Sequence, residues 1–356
     1  MKINEIIARI KNDIQNEIFG KSGCRFPDTQ SLAEKYGVSY VSAIRIIATL
    51  KEEKILLPIG NKCFLMLGPC SPDSELFTFL NRANDKKMGI IVPSLTNPFY
   101  GEVVEALNAT LLKHNIYPFI AVADEQNEIE VMERLARQGC IGLFSFVKFQ
   151  TPKIINYYSR FPLPIVTIGK KLNNINISSI TSDNYGAGEI AAKHLVSCGY
   201  EQFAYCVNKN NYGVNNERLN GFINGLKKCG VELPKSHIFI FDHDDAKTGN
   251  AILSFLEKNN GTTGFFCYHD ITAMDLFFIV KNAGFSVPDK VGIVGYDNLS
   301  TLAHEVKLTT FAYSFNKMAE LALNVMLEKC SCPSSNNKNV KVQTSMIIRN
   351  STIASD

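Results

Sequence analysis

From Met88 onward the chain alternates short apolar runs with helical stretches, and this alternation most narrows what it can fold into. MGIIVP is followed by YGEVVEALNATLLKHN, YPFIAVA by EIEVMERLARQG, and CIGLFSFV by a helix near Ile154 and then PIVTI. A second series follows: a helix over Tyr185 to Cys198, QFAYCV, a helix over Glu217 to Cys229, HIFIFD, a helix over Thr248 to Lys258, GFFCY, a helix over Thr272 to Asn282, and VGIVGY. Strands linked through helices run parallel, and a parallel sheet needs both faces covered. The pattern therefore predicts an α/β fold with parallel sheets flanked by helices, and its two series predict two lobes.

The 356 residues, 46% apolar and 20% charged, suffice for two or three domains of about 100 to 200 residues, each with its own core. No apolar run approaches a membrane span. The start, MKINEIIARIKNDIQNEIF, carries charges every few residues, so a cytoplasmic protein is expected. Ten cysteines contain no CxxC pair, which in a reducing compartment predicts free thiols and neither disulfide nor metal site. P-loop, GxGxxG, HExxH and GxSxG patterns are absent from the sequence, so no cofactor and no enzymatic activity are expected.

The net charge of +3 sits at one end. Residues 1–68 hold 10 basic and 7 acidic side chains, whereas the remainder has 27 of each sign. A mildly basic head on a neutral body suits an anionic partner for the head. Within it Ile3, Ile6, Ile7, Ile10, Ile14 and Ile18 recur at helical spacing, predicting a first helix to about Phe19. Asp28 is a good cap for a second, short helix that Gly37 stops, and Ser39 caps a third with Ala43, Ile46, Ile47 and Leu50 inward. ILLPIGNKCFLML then reads as a hairpin turning at Pro58-Ile59-Gly60-Asn61. Helix, helix-turn-helix and hairpin, in that order, make a winged helix.

The segment FPDTQSLAEKYGVSYVSAIRIIATLKEEKILLPIGNKCFL resembles the N-terminal domain of the gluconate-repressor (GntR) family of bacterial transcription regulators. Pro27, Leu32, Ala33, Gly37, Val38, Ser39 and Leu50 carry the likeness. Gln30, Tyr40 and Ile44 stand where that family usually has Arg, and Lys62 is the basic residue kept near Gly60 in the wing. The resemblance implies a reader of double-stranded operator DNA, with Gln30, Ser39, Tyr40, Val41, Ser42, Arg45 and Lys62 as its contact residues and Lys51 and Lys54 as further phosphate contacts. Affinity comes largely from Lys and Arg at phosphates, so the expected binding per subunit is modest and is offset by a homodimer on two half-sites.

Residues 69–87 are rich in Pro, Ser and charge and mark a linker, although Leu76, Phe77, Phe79 and Leu80 fit a short docked helix. Ligands of open α/β sheets bind beyond the carboxyl ends of the strands. Those ends carry Ser94, Asn97 to Tyr100, Asp124, Phe146, Lys148, His269-Asp270 and Asp297-Asn298. The series is polar, aromatic and charged, which suits a cleft for a small polyhydroxylated molecule.

The body from about Lys87 to Ala354 resembles the effector domain of the lactose-repressor (LacI/GalR) family, itself similar to periplasmic sugar-binding proteins. The likeness rests on several segments in order, among them MGIIVPSLTNPFYGEVVEAL, SSITSDNYGAGEIAAKHLVSCGY, ERLNGFINGL, CYHDITAMDLFFIVKNAGFSVPDKVGIVGYDN and LTTFAYSFNKMAELALNVML. It implies that Arg218 donates to ligand oxygens, that Asp297 accepts from hydroxyls, that His269 lies beside them, and that Phe99, Tyr100 and Phe315 form a wall. Tyr313 replaces a common Gln, Gly169 stands at a frequent Asp, and Asp244 at a frequent aromatic. The expected lobes are 88–168 plus 313–333 and 169–312 plus 334–356. The whole then reads as an effector-controlled transcriptional regulator, a repressor of carbohydrate-utilisation genes. Its rival is a sensor whose winged helix docks protein instead of DNA.

Overall fold

The isoleucine stripe folds as α1 (Ile3–Gln15), burying Ile6, Ile7, Ile10 and Ile14. The helix is shorter than its periodicity suggested: Glu17 takes a positive φ of 57°, and Ile18 is left exposed. The structure, a computed structural model, describes residues 3–71, 73–80, 86–146, 151–172, 175–208, 217–241, 247–299 and 306–352. α2 (Thr29–Tyr36) starts where Asp28 accepts from the Ser31 amide and ends at Gly37, whose φ of 62° suits a residue without Cβ. α3 (Tyr40–Glu52) begins at Ser39, which caps the Ser42 amide. The inward residues of α1, α2 and α3 meet in one core with Phe26, Leu56 and Leu65.

An antiparallel hairpin follows, β1 (Leu56–Ile59) and β2 (Lys62–Leu65), with Pro58 opposite Cys63 and Ile59 opposite Lys62. The turn is therefore narrower than expected. Pro58 and Ile59 belong to β1, and Gly60 and Asn61 make the reversal, with Gly60 at φ 59°.

The described residues 69–71 and 73–80 are not a free linker. The Gly68 amide donates to the Arg160 carbonyl at 3.1 Å and the Cys70 amide to that of Pro162 at 3.0 Å. α4 (Glu75–Leu80) buries Leu76, Phe77 and Leu80, and Phe79 packs on Phe64 at 5.7 Å between ring centroids.

By contacts the chain divides into two units, Met1–Ile180 with Phe315–Val340, and Thr181–Ser314 with Lys341–Asp356. The first contains a six-stranded sheet of β3 (Lys86–Val92), β4 (Ile116–Val122), β5 (Cys140–Ser145), β6 (Ile165–Ile168), β7 (Ser178–Ser182) and β13 (Asn339–Val342), in the order β13-β7-β6-β5-β3-β4. The pairings of β3 with β4 and β5, of β5 with β6 and of β6 with β7 are parallel. α5 (Pro98–Lys113), α6 (Glu128–Arg137), α7 (Pro152–Arg160) and α12 (Phe315–Ser331) accompany the sheet, with α5 and α12 packed together.

The lobe boundaries expected at 168/169, 312/313 and 333/334 fall instead at 180/181, 314/315 and 340/341. The largest displacement has a plain cause. Ser178–Ser182 is too polar to read as a strand, yet it pairs with β6 and carries the chain one strand further before it crosses.

The second unit holds a parallel sheet in the order β11-β10-β8-β9, made of β8 (Gln202–Asn208), β9 (Ile238–Phe241), β10 (Thr263–Cys267) and β11 (Val291–Val294). Its helices are α8 (Asn184–Ser197), α9 (Glu217–Lys228), α10 (Lys247–Lys258) and α11 (Asp270–Asn282), and β12 (Thr310–Ala312) pairs antiparallel with β14 (Ser345–Ile347). α8 and α9 approach closely because glycines face each other: a Cβ on Gly221 would lie 2.1 Å from the Tyr185 carbonyl oxygen, and one on Gly188 2.2 Å from that of Arg218.

Candidate functional site

That close approach places Arg218, in the first turn of α9, beside Asn184 at the start of α8. Arg218 Nε donates to Asn184 Oδ1 at 2.7 Å, and Nη1 donates to the Tyr268 carbonyl. The guanidinium carbon lies 3.4 Å from the ring centroid of Tyr296 and 4.5 Å from that of Tyr268, two cation–π contacts. Burial opposes its charge, but Tyr296, Tyr268 and Asp297 more than offset this and raise its pKa, so the fork is a fixed cation.

Asp297 follows β11 with a φ of 104°, a conformation disfavoured for a residue with a side chain. Tyr313 donates its hydroxyl to Asp297 Oδ1 at 3.0 Å, and burial together with that carboxylate pushes the phenol pKa far up. Tyr296 is pushed up to about 12, chiefly by burial. The second unit thus brings Arg218, Asp297 and Tyr313 into one buried cluster of donor fork, carboxylate acceptor and phenols, a chemistry matched to a ligand rich in hydroxyls.

His269 follows the same strand-end logic but is partly committed. It caps α11, its Nδ1 accepting from the Thr272 amide at 3.1 Å. In a neutral ring this puts the proton on Nε2.

In the first unit, the strand-end residues gather as an aromatic cluster. Phe99 lies 5.2 Å from Tyr100, 6.4 Å from Phe146 and 6.1 Å from Phe315, and Tyr100 lies 5.7 Å from Phe146. Asn97 caps α5 and Pro98 opens it, which fixes the direction of Phe99 and Tyr100. Ser94 turns inward on its own loop, accepting from the Thr96 amide at 3.1 Å. Lys148 and Asp244 lie outside the described residues.

In the head, several expected contact residues are already engaged. Lys62 Nζ sits 4.8 Å from the ring centroid of Phe79, and Lys54 pairs at 2.5 Å with Glu133 of α6. Each of the two lysines thus has a neighbour within the protein: Lys62 lies over the α4 ring Phe79, and Lys54, about a third exposed, pairs with Glu133 of α6. Gln30 Nε2 donates to Glu34 Oε1 at 3.3 Å, and the Ser39 hydroxyl holds both the amide and the hydroxyl of Ser42. Tyr40, Val41 and Arg45 are exposed on α3.

The sequence profile described as "Periplasmic binding proteins and sugar binding domain of LacI family" matches residues 85–333. The chain belongs to this family. Among curated relatives of this LacI-family chain, the HTH-type transcriptional repressor PurR of Mannheimia succiniciproducens is 22% identical over 75% of this chain and 81% of its own length. The HTH-type transcriptional repressor CytR of Escherichia coli K12 is 22% identical over 77% and 82%. A LacI family transcriptional regulator from Enterococcus faecium, solved with bound ribose, superposes with a TM-score of 0.63 at 24% identity, covering 75% of this chain and 98% of that one.

In this LacI-family domain, reading strand ends alone missed three residues that hold Arg218: Asn184, Tyr268 and Tyr296. The signal was available in part. Asp183-Asn184 directly follows β7, and Tyr268 and Tyr296 stand immediately before His269-Asp270 and Asp297-Asn298. β7, too polar to read as a strand, gives no strand end in the sequence alone. Among the described residues no helix is long and apolar enough to cross a membrane, and no cluster of three or more His, Cys, Asp or Glu is arranged to hold a metal.

Proposed function

We propose that this LacI-family chain is an effector-controlled transcriptional regulator, a repressor of carbohydrate-utilisation genes. Residues 1–68 act as a winged helix-turn-helix of GntR type on operator DNA, and the body binds a sugar or sugar derivative. The observation that carries the sensor half is the Arg218 cluster. A buried, permanently charged fork, held by Asn184 and lying over Tyr268 and Tyr296 next to Asp297, pairs a planar donor with a carboxylate acceptor, the pairing a hydroxyl-rich ligand requires. The aromatic cluster of Phe99, Tyr100, Phe146 and Phe315 offers an apolar wall for a sugar ring. The relatives named as repressors and the ribose-bound regulator support the same reading.

The reader half is supported by the order of three helices and a hairpin and by the positive balance of the first 68 residues. A homodimer brings two heads to two half-sites. Tyr117, Ile120 and Val122 on edge strand β4, with Leu112 on α5, are exposed apolar residues that suit a second copy.

The test is binding of the purified full-length protein to duplex DNA from its own upstream region, titrated in salt, with and without a panel of pentoses, hexoses and derivatives. One sugar should change DNA affinity by about 5- to 150-fold, the usual span of allosteric coupling. Arg218→Lys, which keeps the charge but loses the planar fork, should abolish that response and leave DNA binding without sugar intact. A sugar response that survives Arg218→Lys refutes the assigned site. A folded dimer that binds no DNA at low salt and associates with protein regardless of salt leaves the protein-docking alternative.

A further inference from the structure

The outward face of α3 is unusual for a helix assigned to read polar base edges. Ala43, Ile46, Ile47 and Leu50 are buried, which turns Tyr40, Val41, Ile44, Arg45 and Ala48 to solvent. Tyr40, Val41 and Ile44 are 58%, 60% and 48% exposed. The polar groups nearby are already bonded within the head, Ser39 to Ser42 and Gln30 to Glu34. Arg45 is the one charged side chain on α3 before Lys51, and the first acidic residue is Glu52. An exposed pair of branched aliphatic side chains gains free energy when covered.

Resting on the DNA-reading role proposed above, we infer that α3 reads its half-site through thymine methyl groups, with Val41 and Ile44 as specificity-determining residues and Arg45 as the charged anchor. The major groove presents one apolar feature, the C5-methyl of thymine, and apolar side chains are its natural partners. The first turns of a reader helix are the part that reaches base edges. Charge selects the occupant: a face with a single basic residue, at the positive end of a helix and in a head of net +3, complements a polyanion better than a neutral apolar protein surface. Residues at i and i+3 stand about 5 to 6 Å apart on a helix, which spans one to two base steps of about 3.4 Å. The preferred half-site therefore carries two thymine methyls on adjacent or next-adjacent pairs.

The experiment uses the full-length protein and sites selected from a random 30-base-pair duplex library, resynthesised with deoxyuridine in place of thymidine. This removes the methyl and keeps base pairing. Wild-type protein should bind about fourfold more weakly for each recognised methyl lost, roughly 15-fold for a half-site presenting two. Ile44→Ala, an exposed truncation that leaves the core untouched, should bind thymidine and deoxyuridine duplexes at that position equally and match wild type on the deoxyuridine duplex. Equal wild-type affinity for both duplexes overturns the inference while the DNA-reading role stands. Discrimination that persists unchanged in both Ile44→Ala and Val41→Ala overturns the residue assignment. Failure to select any duplex at low salt removes the DNA-reading role and this inference with it.

Discussion

Replacing Asp270 by Asn should make the second unit more stable above neutrality and remove a pH dependence. Asp270 opens α11 and is fully buried. Its Oδ2 accepts from the Leu299 amide at 2.9 Å and its Oδ1 from the Thr310 hydroxyl at 2.6 Å. Burial, reinforced by the Asp297 carboxylate, outweighs those hydrogen bonds and pushes its pKa up to about 7 from an ordinary 3.8. Between these values the folded state holds a proton that the unfolded chain has released. The stabilisation from that proton is complete below about pH 4 and is lost as pH rises through about 7. A shift of about three units corresponds to about 4 kcal/mol, with a slope no steeper than about 1.4 kcal/mol per pH unit. Asparagine has the shape of the neutral acid: its carbonyl keeps the Leu299 amide, and its NH2 meets the Thr310 hydroxyl as acceptor. Urea unfolding followed by circular dichroism at pH 5, 6, 7 and 8 measures both proteins. The variant should already be more stable by about 1.5 kcal/mol at pH 5, and the gap should widen to about 4 kcal/mol near pH 7 and level off by pH 8. Parallel profiles from pH 5 to 8, or a variant less stable at pH 8, would mean that the carboxylate is ionised and stabilising throughout, and the burial argument would be wrong.

Two further substitutions test the packing that positions the surfaces. Gly221→Ala puts a methyl 2.1 Å from the Tyr185 carbonyl oxygen and must part α8 from α9; it should cost about 1 to 3 kcal/mol in thermal or urea unfolding and weaken sugar binding by displacing Arg218. Glu133→Ala strips the acceptor shared by Lys54 at 2.5 Å and the Tyr157 hydroxyl at 3.1 Å. It should cost about 1 to 3 kcal/mol, mostly from the buried phenol left unpaired, and limited proteolysis should release the head faster, whereas Lys54→Met, at a half-exposed side chain, should have a smaller effect.

Much of the fold is legible because burial imposes periods on the sequence. The isoleucines of α1 and the inward residues of α3 recur at helical spacing, and GFFCY and VGIVGY are continuous apolar runs because both faces of their strands are covered. SSITS fails that test although Ser178 and Ser179 are buried: their hydroxyls bond to Asn337 and Asn339, some 160 residues away, and those partners are what permit a polar strand there. The same holds for the candidate sites. The residue types at the strand ends were readable, and Arg218, Asp297, Tyr313 and the four aromatics do gather within their respective units.

By itself, then, the sequence determined the alternation of strands and helices, the caps at Asp28 and Ser39, and which polar and aromatic residue types close the strands. These depend on neighbours within a few positions, where helix and strand geometry dictate contact. Tertiary structure alone decided what each of those groups meets in the folded chain. Lys54 meets Glu133, 79 residues on, and Lys62 lies over Phe79 of α4, partners that the sequence around each lysine does not name. Only three-dimensional packing brings those partners within reach.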